Sequence, residues 1–428
     1  SISELEVRKA QLNAEVCVVR SLGRIAEQST GTLMSRQVFT DVTYAHYVVI
    51  EEDKPVSVPR QWLQDDRRAE VQSLAYLPGR ARVTDGVLNL WRGMGVDPVA
   101  GDVSLWTDLL QNAIPNKELR TWLLQWFAHP LQNLGSKLNT FVHIFGASGT
   151  GKNALLLPIK RIYGENSITI GRERLISDFN SVYATKQFVN VDEVHGGQEK
   201  NALALTNKIK MLVTDPDVVV NQKGQPEYRI KNCLNLVTTS NYYDSLKLDA
   251  DDRRAAVIRF EPEVDRRHDQ EYWLRYFQWA EGDGPSALFD YLMRVDMTGF
   301  DPMGWAPETE YKEEVKDAAR TPMERWTKDL IDDPDSILPA PTLGRALFTA
   351  KELAVLYYGM GADELRKGQI DALSNTMRNA GFKKANSGKG IKTADGRVDR
   401  YWVIRERNAD WEDGHKCGSH LRKFSLHS

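Results

Sequence analysis

With 428 residues, 41% hydrophobic and 27% charged, the chain has the composition of a folded protein of several domains, and no apolar run is long enough for a membrane span. A net charge of −3 excludes a globally basic nucleic-acid binder, so any such contact must come from local patches. Three scattered cysteines (Cys17, Cys233, Cys417) exclude a disulfide framework and point to a reducing compartment. The opening residues, SISELEVRKAQ, have no apolar signal core and no initiator methionine, so the chain is expected to be part of a longer one. Glu4 to Ile25 has helical spacing, Val38 to Ile50 is strand-like, and Gln61 to Gly79 suggests a helix followed by a strand. Residues 1–84 are therefore expected to form a small α+β module, and 85–135, with Trp122 to His129, a helix-rich region.

The stretch GASGTGKN follows: Gly146, Ala147, Ser148, Gly149, Thr150, Gly151, Lys152 and Asn153. It fits G-x-x-x-x-G-K-[ST], a phosphate-binding loop, until Asn153. Such a pattern arises by chance in about one chain in eight of this length, so its context must decide. Phe141 to Phe145 reads as a buried strand, and the residues after Lys152 read as a helix ending at Gly164. That order lets backbone N–H groups and a helix N-terminus surround phosphates, with Lys152 reaching the β- and γ-phosphates. Pro158 is expected to kink the helix, because it removes a hydrogen bond.

A second strand, QFVNVDEV, ends in Asp192-Glu193. The loop needs such a pair, so Asp192 is assigned to Mg²⁺ and Glu193 to the general base. Asp217 to Lys231 reads as a β-hairpin with Lys223 at its tip. Cys233 to Asn241 is a further strand. Ligands bind beyond the carboxyl ends of parallel strands, so Asn241 is expected beside the acidic pair, oriented to hold water or sense the γ-phosphate. Arg253 and Arg254 leave an acidic loop; they either pair with Asp249, Asp251 and Asp252 or reach a neighbour's phosphate.

Residues 263–340 are expected to be helical, with Tyr272, Trp273, Tyr276, Phe277 and Trp279 as core, ending in a linker at Asp332 to Pro341. Thr349 to Glu352 is a capping box, a second helix carries Ile370, Leu373, Met377 and Ala380 on one face, and a hairpin flanks Asp395-Gly396. Residues 341–407 therefore suggest a winged helix. Its basic set (Arg378, Lys383, Lys384, Lys389, Lys392, Arg397, Arg400) is either a phosphate-facing patch or a solvated face. His415, Cys417 and His420 stand in an expected tail, 408–428, with no second ligand cluster, which argues against a metal site.

In order, the loop, Asp192-Glu193, the Lys223 hairpin, the Asn241 strand and the following arginines resemble the superfamily 3 helicases within the AAA+ ATPases. The helicase part of phage and poxvirus-type primase–helicases is the most similar. The resemblance implies an α/β fold: an AAA+ P-loop core with a parallel sheet over 136–262, a helical collar at 85–135 before it, and a helical region and winged-helix-like domain after it. It implies ATP and Mg²⁺ bound between subunits of a homo-oligomeric ring, usually a hexamer, with Arg253 or Arg254 acting as a finger on the neighbour. It also implies single-stranded DNA gripped by Lys223, an attached or associated primase–polymerase, no membrane, and the cytoplasm of a bacterial host. Asn153 departs from the pattern: its carbonyl oxygen replaces a hydroxyl on Mg²⁺, directly or through water. The expected activity is that of an ATP-driven helicase or translocase. The alternative is a nucleotide-binding clamp, poor in hydrolysis, that holds a primase–polymerase on DNA.

Overall fold

The computed structural model describes residues 3–192, 199–242, 245–249, 252–318, 320–393 and 395–424. The chain divides into two compact units, Ser1–Ala318 and Ala319–Ser428. The division falls inside the stretch expected to be a helical region and linker, and Asp332 to Pro341 belongs to the second unit.

In the first unit, Ser3 caps the helix Glu4–Glu15 by accepting from the Glu6 N–H. The helix ends earlier than its spacing suggested, because the β-branched run Val16–Val19 prefers a strand. That strand pairs antiparallel with Arg24–Glu27 and parallel with Glu70–Val71. The strand-like stretch Val38 to Ile50 is helical through Thr43. Only Val48–Glu51 is extended, paired with Lys54–Ser57 through Glu52 and Asp53 at φ 47° and 60°.

The centre of the unit is built from α1 (Ser104–Ala113), α2 (Lys117–Gln132), β1 (Phe141–Phe145), α3 (Lys152–Tyr163), β2 (Ser167–Gly171), β3 (Phe188–Asp192) and α4 (Glu199–Thr214). It continues through β4 (Asp217–Val220), β5 (Tyr228–Lys231), β6 (Asn235–Ser240), β7 (Ala255–Arg259), α5 (Gln270–Glu281), α6 (Gly284–Met293) and α7 (Glu310–Ala318). Five strands form one sheet in the order β2-β3-β6-β1-β7, and every pairing is parallel. The strands are apolar because both faces are covered. Val142, Ile144, Val237 and Ile258 pack on one face with Leu109, Leu123, Leu155, Tyr276 and Leu288 from α1, α2, α3, α5 and α6. Phe141, Phe145, Val191, Leu236 and Val257 pack on the other with Leu205 and Ile209 of α4 and Val315 of α7.

His143 also points to this second face and is fully buried. Its Nδ1 meets Thr238 Oγ1 at 2.8 Å and its Nε2 meets Ser245 Oγ at 3.2 Å. Burial pushes its pKa down to about 3, so it is neutral. It ties β1 and β6 to the segment that follows Asn241.

Helix α3 runs through Pro158 without a break. A proline leaves the carbonyl four residues earlier without its helical donor. Here that carbonyl belongs to Ala154, and the Tyr276 hydroxyl donates to it at 2.9 Å. The expected weak point is thus bridged by a side chain from α5.

In the second unit, the capping box Thr349–Glu352 opens the helix Ala350–Tyr358, and Lys367–Asn379 buries Leu373 and Met377. Leu347–Thr349 pairs with Tyr401–Val403, and Ile391–Lys392 pairs with Val398–Asp399. Arg378, Lys383, Lys389, Lys392, Arg397 and Arg400 are exposed, whereas Lys384 lies over the Trp402 ring, 5.1 Å from its centroid. The expected tail is folded: Gly414–Arg422 is a helix whose Cys417 and Leu421 are buried with Tyr401 and Trp411. Its apolar residues are too sparse to have read as a helix. Cys417 Sγ donates to the Trp411 carbonyl at 3.3 Å, His420 Nε2 accepts from the Ala346 N–H at 2.9 Å, and His415 is exposed. Among the described residues, no group of three His, Cys, Asp or Glu is arranged to hold a metal ion. No helix of the described residues is long and apolar enough to cross a membrane.

Candidate functional site

The loop leaves β1 at the carboxyl edge of the sheet and turns into α3. Gly149 and Gly151 take φ of 77° and 105°, which side-chain-bearing residues rarely adopt. Gly146 is needed for space, because a Cβ there would fall 2.3 Å from the Phe260 carbonyl oxygen. Gly151 caps α3, so the first N–H groups of that helix, which have no partner within it, face the loop.

Lys152 is buried and folds back over the loop. Its Nζ donates to the carbonyls of Gly146 (2.6 Å) and Ala147 (2.7 Å) and to Asn241 Oδ1 (2.9 Å). Burial pushes its amine down to about 8, against an opposing pull from Asp192. Asn153 Nδ2 donates to Asp192 Oδ2 at 2.9 Å, and Thr239 Oγ1 donates to Asp192 Oδ1 at 2.6 Å.

The strand order explains the meeting. Because β6 lies between β1 and β3, Asn241 at its end stands between Lys152 and Asp192. Lys152, Asn153, Asp192 and Asn241 line one cavity of about 420 Å³, together with Ser148, Gly149 and Gly151. Alanine 147 and Thr150 line a neighbouring cavity, and the Thr150 hydroxyl donates to the Ala147 carbonyl at 2.9 Å. Glu193, the expected base, lies outside the described residues.

Arg253 and Arg254 are not in this cavity. The Arg254 carbonyl accepts from the Phe141 N–H at the start of β1, so both arginines lie at the opposite edge of the sheet. The Arg254 Nε donates to Thr214 Oγ1 at 3.2 Å, and Arg253 lies over the Trp305 ring, 5.7 Å from its centroid. Of the acids named as alternatives, Asp251 lies outside the described residues and the other two make these contacts. Asp252 Oδ1 accepts from the backbone of Arg254 and Ala255, and Asp249 pairs with Lys210.

Lys223 is exposed at the turn between β4 and β5, where Gly224 takes φ of 77°. The hairpin is held on two sides. Asn180 donates through Nδ2 to the Val219 carbonyl (2.7 Å) and accepts from the Asn221 N–H (2.8 Å). Gln225 accepts from Arg24 Nε at 3.1 Å and donates to the Leu33 carbonyl at 3.3 Å, which ties the tip to the N-terminal module.

The cavity also contains Arg267, Trp273 and Phe277, none of which was assigned to it from sequence. The aromatic cluster of α5 was expected to be core. Tyr272 and Tyr276 are, while Trp273 and Phe277 turn toward the cavity. Their i, i+4 spacing puts both on one side of α5, as it does for the core pair Tyr272 and Tyr276.

Residues 144–254 match the model of a family described only as a family of unknown function, DUF5906. The chain is 28% identical over 182 residues to a DNA primase-polymerase of Nitratiruptor phage NrS-1. That alignment covers 38% of this chain and 25% of the relative, so the chain spans about a quarter of the relative's length. In fold it is similar to an apo structure of the NrS-1 C-terminal region, with a TM-score of 0.66 and 19% identity over 94% of this chain and 99% of that one. An A-form apo structure of the same region gives a TM-score of 0.66 at 18% identity, over 93% and 98% of the two chains.

Proposed function

We propose that the chain is an ATP-hydrolysing motor acting on single-stranded DNA in phage replication, with a core of the AAA+ superfamily 3 helicase type. The observation that carries this reading is the convergence of Lys152, Asn153, Asp192 and Asn241 on one cavity at the mouth of a glycine loop. The likeness to a phage primase-polymerase supports the replication setting and an attached or associated primase–polymerase. In that setting the protein works in the cytoplasm of the bacterial host.

The phosphates of ATP lie against the loop and the N-terminus of α3, and Lys152 exchanges its loop carbonyls for phosphate oxygens. The donor set suits Mg²⁺. An ionised Asp192 can only accept, so Asn153 must turn Nδ2 toward it, which leaves Oδ1 as an oxygen donor beside the carboxylate. When bound, the ion supplies neutralising charge at the β- and γ-phosphates. Asn241 holds Lys152 and orients the attacking water, Glu193 takes its proton, and Arg253 or Arg254 of a neighbouring subunit stabilises the charge that develops. The subunits form a ring, six in the family it resembles. Lys223 grips DNA phosphates at the tip of a braced hairpin, and the basic face of the second unit, with its winged-helix-like arrangement, adds a further contact.

ATP turnover with and without single-stranded DNA tests this. Lys152→Ala should abolish turnover, and Lys223→Ala should remove the stimulation by DNA. Turnover that survives Lys152→Ala would refute the reading. One observation favours a second reading, a clamp poor in hydrolysis: the Asn153 amide occupies the carboxylate assigned to the metal. Under that reading the wild type turns over slowly and Asn153→Thr raises the rate. A rate unchanged or lowered by Asn153→Thr would dismiss the clamp.

A further inference from the structure

The cavity lining is of two chemical kinds. The loop, Lys152 and Asp192 are polar or charged. Trp273 and Phe277 are aromatic, and Trp273 and Arg267 lie beside the loop glycines. The rings of Trp273 and Phe277 are stacked at 30° with centroids 5.9 Å apart. The Trp273 indole N–H donates to the Arg266 carbonyl at 2.6 Å, which fixes the ring. Its edge lies against the loop itself, 2.7 Å from where a Gly151 Cβ would be. Phe277 is 40% exposed, whereas Tyr272 and Tyr276 of the same helix are buried.

We infer that Trp273 and Phe277 form the platform on which the base of the bound nucleotide stacks. This rests on the nucleotide reading above and extends it to recognition of the base. An aromatic pair next to a phosphate loop, within one cavity, matches the amphiphilic shape of a nucleotide: charged at one end, flat and apolar at the other. Among the described residues that line the cavity, the charged side chains are Lys152, Asp192 and Arg267, and the Arg267 guanidinium is held by Asp265 at 2.7 Å. The base is therefore recognised by its face and not by its edge. The site takes ATP and GTP with similar affinity, and holds them more tightly than pyrimidine nucleotides because purines stack over a larger area.

The test is calorimetric titration of the full chain with ATPγS and, separately, with inorganic triphosphate, both with Mg²⁺. Stacking contributes enough that Phe277→Ala or Trp273→Ala should raise the Kd for ATPγS about 5- to 100-fold. Triphosphate, which has no base, should bind these variants within about 2-fold of wild type. Phe277→Tyr, which keeps the ring, should bind ATPγS as wild type does. Since Trp273 also packs against the loop, Phe277→Ala is the deciding variant. Equal effects on both ligands, or none on ATPγS, would overturn the platform. Should Lys152→Ala weaken both ligands while Phe277→Ala changes neither, the platform fails and the nucleotide reading stands. A wild type that binds neither ligand removes both.

Discussion

Tyr276 is the residue that lets α3 pass through Pro158, and its hydroxyl offers a direct test. In Tyr276→Phe the Ala154 carbonyl keeps its burial and loses the hydroxyl that donates to it. A buried carbonyl left without a partner costs about 1–3 kcal/mol. If that is the whole effect, restoring the helical donor should cancel it. Pro158→Ala supplies the missing N–H, so in that background Tyr276→Phe should cost about 0.5 kcal/mol or less. The double-mutant cycle should therefore give a coupling of about 1–2 kcal/mol, measured from urea midpoints followed by tryptophan fluorescence. An equal cost of Tyr276→Phe in the two backgrounds would refute the claim that the hydroxyl replaces the proline's lost hydrogen bond.

Three further outcomes can be checked. His143 is neutral in the folded protein, with a pKa near 3 in place of 6.5. The unfolded chain therefore binds the extra proton first, and stability contributed above pH 6.5 is lost as pH falls toward 3, by about 1.4 kcal/mol per unit. Urea midpoints between pH 7 and 5 should fall more steeply for wild type than for His143→Gln; parallel slopes would exclude the effect. Lys152, with its amine near 8, should bind phosphate ligands less well as pH rises through 8 to 9.5. Titrations with Lys152→Arg should lack that decline, and a wild type equally flat over this range would count against a buried lysine holding phosphate. Asn180→Ala removes two hydrogen bonds that brace the hairpin, so it should reduce stimulation by DNA and leave ATPγS affinity within about 2-fold. Unchanged stimulation by DNA would show that the brace is not needed.

The loop was readable in the sequence because its requirements are local: glycines for backbone angles, a lysine, and a strand and helix on either side. Asp192 and Asn241 were readable because each ends an apolar strand, and parallel strands deliver their ends to one edge. Arg267, Trp273 and Phe277 were not, because they reach the cavity from α5 and the segment just before it, beyond the last strand, and nothing in the spacing of the two rings separates a cavity face from a core face. The passage of α3 through Pro158 was equally hidden, since the rescuing hydroxyl comes from α5. Arg253 and Arg254 could be assigned a role from their order in the chain. Their position at the far edge depends on the direction of β7, which the sheet alone reveals.

That position has a consequence for symmetry. The loop sits past Phe145 and the arginines sit before Ala255, so the length of β1, about 16 Å, separates them along the sheet. Two patches on opposite edges of one molecule cannot serve each other within a chain. They meet only when the front of one copy faces the back of the next, a head-to-tail contact that gives a ring if its rotation closes and an open filament if it does not. An arrangement of that kind would give each active site two owners. Turnover per chain would then rise with protein concentration, and a chain lacking only its arginines would poison its neighbour's site while leaving its own open to rescue.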